Sequence, residues 1–172
     1  MSVIVVLLLC WAALVSAHEH PGLLQRLQLS SKDEIDCTPE GVQFQSYHVH
    51  VLFWQNNRNS TAAALKLQGQ FMEAFGLGLA DKCQFSPSAT MPDADMCYFQ
   101  TDFEPAGPFV TAQYSFFVPT AQYEIAVGWM LRRRGTLDVL VHPNSGCGLQ
   151  DHLQYSSWGG RVWEIDPAPF LD

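Results

Sequence analysis

The chain has 172 residues, 48% of them hydrophobic and 15% charged, which is enough apolar content for one well-buried core and too little length for two. Its net charge of −8, with only nine Lys and Arg, excludes nucleic acid as a partner class, because phosphate binding needs a basic face. The single basic run, Arg132-Arg133-Arg134, falls where the last turn of a helix is expected, beside the negative end of the helix dipole.

In chain order, Val3 to Val15 form an apolar block shorter than the roughly 20 residues that span a bilayer. Ser16-Ala17 supply small residues for cleavage before His18, so residues 1–17 are expected to be a secretory signal peptide, with an uncleaved anchor as the alternative. The mature protein is then expected to be secreted and free of the membrane. Residues 18–40 read as a polar leader, in which His18 and His20 are surface residues, and residues 41–172 as one domain. Val42 to Trp54 is β-branched and aromatic and predicts a first strand, on which the period-two geometry sends His48 and His50 to the same face. A helix capped at Asn59 or Ser60 follows, with Ala64, Leu67, Phe71 and Phe75 on its core stripe. Asn59-Ser60-Thr61 is also an N-glycosylation sequon.

Short strands are candidates at Cys83-Gln84-Phe85 and Met96 to Phe99, and a longer one runs from Phe109 to Val118. Pro119 ends that strand and Thr120 can cap a second helix, whose apolar face is marked by Ile125, Trp129 and Met130 and which stops at Gly135. Leu137 to His142 is the last clear strand. The order strand, helix, strand, strand, helix, strand predicts an α+β, ferredoxin-like βαββαβ fold, an antiparallel sheet with two helices packed on one face. Such sheets often pair, so a homodimer is the fold-level expectation. In an oxidising compartment the even set Cys37, Cys83, Cys97 and Cys147 is expected to form two disulfides. A Cys83–Cys97 bridge would close the loop between two short strands, and three connectivities remain open.

The segment Leu137 to Gly146 delivers His142 to a strand end followed by Pro143-Asn144-Ser145-Gly146, and Asp151-His152 and Trp158-Gly159-Gly160 come after it. Together with Tyr47-His48-Val49-His50-Val51-Leu52-Phe53, and with Trp129 and Gly135, this pattern resembles the DOPA 4,5-dioxygenase family of small extradiol-type dioxygenases from about Ser46 to Trp163. The resemblance implies His50, His142 and His152 as ligands of Fe(II) or another divalent metal, with His48 taking a proton from a substrate hydroxyl. A carboxylate ligand would have to come from Asp151, Glu124 or another acid, and Asp151 is the expected acceptor that orients an imidazole from outside the ligand set. It further implies a catechol such as DOPA, together with dioxygen, as the small molecules the site takes. One departure stands out: where the family carries G-P-H-P, this chain reads Gly107-Pro108-Phe109-Val110, and Phe109 can neither bind metal nor carry a proton. The second reading is therefore an inactive secreted relative that binds a ligand or a metal.

Overall fold

The computed structural model describes residues 35–171. The expected signal peptide and most of the leader, with His18 and His20, lie outside the described residues. Strand β1, Ser46–Phe53, alternates its side chains across the sheet: Val49, Val51 and Phe53 enter the main core, and His48, His50 and Leu52 take the other face. Helix α1, Arg58–Ala74, is capped by Asn57, whose side-chain oxygen accepts from the backbone N–H groups of Asn59 and Ser60 at 3.0 and 3.1 Å. The cap thus lies ahead of the two expected positions. The Ser60 hydroxyl is otherwise used, accepting from the Trp54 N–H at 3.0 Å and fastening the strand end to the helix start. Ala64, Leu67 and Phe71 are buried, while Phe75 has become the C-cap and is half-buried.

Strand β2 is short, Cys97–Tyr98, and the expected strand at Cys83 to Phe85 is reduced to an isolated bridge between Lys82 and Tyr98. Strand β3 runs Ala112–Pro119. A single 3-10 turn, Thr120–Gln122, then precedes helix α2, Tyr123–Arg133. Thr120 does not cap that helix: its hydroxyl donates to the Gln45 carbonyl at 3.0 Å, so the chain reaches α2 through the turn. Ala126, Val127 and Met130 form the buried face of α2, with Trp129 packed beside them, whereas Ile125, expected on that face, is 67% exposed, one position off the buried stripe. Gly135, at φ 59°, turns the chain in the left-handed region into β4, Asp138–Asn144.

The sheet order is β2-β3-β1-β4-β5, every pair antiparallel. Its first four strands have the order of the split βαβ pattern, and the fold is α+β and ferredoxin-like, as expected. Besides 3-10 turns, the short helix α3, Gly148–Leu153, and the edge strand β5, Ser157–Gly159, went unread in the sequence. The two disulfides join Cys37 to Cys147 and Cys83 to Cys97, the second being the loop closure that the sequence raised. Among the described residues no helix is long and apolar enough to cross a membrane.

Candidate metal centre and cavity

Strand register assembles the site on the sheet face opposite α1 and α2. His48 on β1 lies directly across from His142 on β4, and His50 lies two residues further along the same face of β1. Ligating atoms of His48, His50 and His142 all fall within 4.8 Å of one another, and all three residues are buried. On the other side of β1, the partners of His50 and Leu52 are Ser115 and Gln113 of β3, which send their side chains to the same cavity.

The hydrogen bonds of the imidazoles bear on what the cluster can hold. His142 donates its Nδ1–H to the Pro143 carbonyl at 2.8 Å, which leaves its Nε2 as a lone pair. That Nε2 lies 3.1 Å from the Nε2 of His50, and the Nε2 of His48 is buried without a partner. Two nitrogens bound at ~2.0–2.1 Å to one ion at right angles would be about 3 Å apart, so the spacing suits a shared cation. An unpartnered buried imidazole nitrogen would otherwise carry an uncompensated desolvation cost. The residues present therefore fit a metal ion.

Burial holds His48, His50 and His142 well below the ordinary histidine range, and the neighbouring imidazoles push each further in the same direction. The cluster is neutral, the form in which imidazole ligates. One expected result follows for the metal-free protein. Because the folded-state values are depressed below the unfolded value of 6.5, the two states bind protons alike above about pH 7, and the unfolded state binds more below it. The melting temperature measured in chelator should be level from pH 8 to 7 and fall steadily from about pH 6.5 towards 5, a window above that of ordinary carboxylates. A flat profile over that range would remove the buried neutral cluster from the account.

The expected site residues distribute as follows. His50 and His142 belong to the converging set, and His48 is the third member. His152, on α3, stands beside it, its ring centroid 3.9 Å from that of His142 and 6.3 Å from that of His50. It is held there by donation from Nδ1 to the Gly148 carbonyl at 2.8 Å, and burial lowers its pKa. Asp151 does not meet an imidazole: its carboxylate accepts from both the backbone N–H and the hydroxyl of Ser145, fastening the turn after β4 to α3. Glu124 is exposed on α2, in the helix layer, and Asn59 is exposed in the first turn of α1. Phe109 packs its ring 4.5 Å from that of His50 and is 5% exposed.

A cavity of about 650 Å³ opens over the cluster, a volume suited to a small molecule. Phe85, Phe99, Phe109 and Phe170 supply its aromatic walls. Among the described residues its one basic side chain is Lys82, which donates to the Gln100 side-chain oxygen at 3.1 Å. Sequence reasoning missed Gln113 and Asp102. The available signal was Gln113 and Ser115 standing at alternate positions of an otherwise apolar strand, on the face that carries the histidines.

A ferredoxin-like sheet with three converging imidazoles beneath an aromatic-walled cavity defines a small-molecule site able to hold a metal ion. The sequence profile described as the Dopa 4,5-dioxygenase family matches residues 47–168, and the chain belongs to that family. A DOPA 4,5-dioxygenase of Amanita muscaria is 27% identical over 141 residues, covering 81% of this chain and 56% of the relative, so the chain spans little more than half the length of that protein. A crystal structure from Nostoc punctiforme, described as a proposed dioxygenase, aligns with a TM-score of 0.56 at 22% identity over 74% of this chain and 91% of that one. This last likeness concerns the fold.

Proposed function

We propose that this chain is a secreted, metal-dependent dioxygenase that opens the ring of DOPA or a related catechol. The observation that carries the reading is the buried set His48, His50 and His142, with the His48 Nε2 unpartnered, at the base of an aromatic-walled cavity. These three imidazoles would hold the ion, Fe(II) in the first instance and another divalent metal in the second. The ion, when bound, supplies Lewis acidity and electron transfer to dioxygen. Both oxygen atoms then enter the ring-opened product, and no external reductant is required. The flat catechol ring is oriented by the phenylalanine walls, and the Lys82 ammonium meets an acidic substituent. His152 takes over the proton-accepting role that the sequence suggested for His48. Its Nδ1–H is committed to the Gly148 carbonyl, so its Nε2 is the nitrogen with a lone pair for a substrate hydroxyl.

Secretion is supported by the apolar block before Ser16-Ala17 and by the two disulfides. Residues 1–17 would be removed, residues 18–40 would precede the domain, and Asn59 would carry the glycan. The alternative, a relative without turnover that binds a catechol or a metal, is favoured by Phe109 lying against His50 where the family pattern has histidine.

The test is metal analysis of the purified protein, then anaerobic loading with Fe(II) and addition of DOPA with oxygen. A yellow ring-opened product with matching oxygen consumption is expected. Bound catechol without oxygen consumption would establish the binding module instead, and absence of both metal and catechol binding would remove both readings.

A further inference from the structure

His50 can ligate through Nε2 only if its proton sits on Nδ1, and the group facing Nδ1 is the side-chain amide of Gln113, at 2.9 Å from its oxygen. An amide offers either end. If it presented its NH2 to His50, Nδ1 would accept, the proton would move to Nε2, and Nε2–H would donate across 3.1 Å to the lone pair of His142. The pair would then be satisfied by itself and closed to a cation.

Asp102 decides between the two states. Its carboxylate oxygen lies 2.7 Å from the Gln113 Nε2, and a carboxylate can only accept. The amide NH2 is therefore committed to Asp102, and the amide oxygen is left for His50. The arrangement is rigid, because the two residues also exchange both backbone hydrogen bonds, Asp102 N–H to the Gln113 carbonyl at 2.8 Å and the reverse at 3.0 Å. We propose that Asp102, acting through Gln113, is the positioning residue that holds His50 as the Nδ1–H tautomer and so keeps the His50–His142 pair open as a metal site. The proposal rests on the metal reading of the trio for its consequence, but not for the tautomer.

Two measurements test it. The first is the histidine tautomer by nitrogen-15 NMR of the metal-free protein, and the second is Zn2+ affinity by calorimetry. Wild type should carry the His50 proton on Nδ1. In Asp102→Asn the amide can donate to the Gln113 oxygen as well as accept from its NH2, so the Gln113 orientation is no longer fixed and part of the His50 population should carry its proton on Nε2. Zn2+ affinity should then fall by about two- to tenfold, in step with the lost Nδ1–H fraction. The double variant Asp102→Asn with Gln113→Glu places an acceptor-only group against His50 again, and should restore the full Nδ1–H tautomer and the wild-type affinity.

A role for Asp102 in packing alone would lower the melting temperature without moving the tautomer, and that result would overturn the proposal. So would a wild-type His50 protonated on Nε2, or a double variant that folds but keeps the Nε2–H form. Wild type with the Nδ1–H form and no Zn2+ binding would sink the metal reading while leaving the tautomer assignment in place.

Discussion

His142→Ala should reduce Zn2+ affinity by more than about a hundredfold, beyond the ten- to hundredfold that groups outside the ligand set commonly control. His142 is one of three converging imidazoles that could hold an ion, and its Nε2 is already a lone pair through the bond from Nδ1 to the Pro143 carbonyl. The metal-free fold should survive the change. Removing the ring opens space beside the cavity, but it also removes one of two lone pairs that face each other at 3.1 Å. The separation appears in thermal melts: wild type saturated with Zn2+ at a hundredfold excess over Kd gains about 2.7 kcal/mol, and the variant at the same concentration gains no more than about 0.4 kcal/mol. Glu124→Gln, exposed on α2 in the helix layer, should behave as wild type. Equal Zn2+ affinity in wild type and the His142 variant would remove the metal centre, whatever the activity.

Losing the Cys37–Cys147 bridge should be the most damaging single change to stability. It spans 110 residues of sequence, against 14 for Cys83–Cys97. Loop-closure entropy then assigns about 4–5 kcal/mol to the first and about 3 kcal/mol to the second. The bridge also reaches the site. Cys147 donates its backbone N–H to the Ser145 hydroxyl, which in turn donates to Asp151, next to His152. The paired Cys37→Ser and Cys147→Ser variant should therefore lose both urea resistance and catechol affinity, while the Cys83/Cys97 pair, which borders the cavity wall at Lys82 and Phe85, should lose less urea resistance. Equal losses in the two variants, or free thiols alkylated in the oxidised protein, would contradict this assignment.

Which parts of this were legible in the sequence follows the range over which each signal acts. The faces of β1 could be read because alternation is local: His48 and His50 two apart must share a side. The helices were read nearly as well, but Ile125 was misplaced because the 3-10 turn before α2 rotates the helix entry and no residue announces it. Which histidine joins His50 and His142 was read differently along the chain, where the family resemblance pointed to His152 and left the proton to His48. The β1–β4 register instead sets His48 against His142, while α3 hangs from a turn braced by Asp151 and a disulfide. The alternation of Gln113 and Ser115 marked a polar face on β3, but the role of Gln113 and Asp102 could not be read from it, because Gln113 acquires meaning only when the neighbouring strand brings it to an imidazole 63 positions away.

The alternation of β1 has a practical meaning for anyone wishing to alter this protein. Odd-numbered residues from Val49 to Phe53 look into the helix layer, and the even-numbered ones from His48 to Leu52 look the other way. On β3 the assignment is reversed, with Gln113, Ser115 and Phe117 away from the helices, while on β4 it is Leu140 and His142 that share the side of the cluster. Randomising only His48, His50, Gln113, Ser115 and His142 would leave Val49, Val51, Tyr114, Phe116, Val139 and Val141 in place to fold the scaffold, and would spare Leu52, Leu140 and Phe117, which are buried in smaller clusters on the cavity side. A library built that way could explore new ligands and new reactions on a backbone whose largest core lies on its reverse.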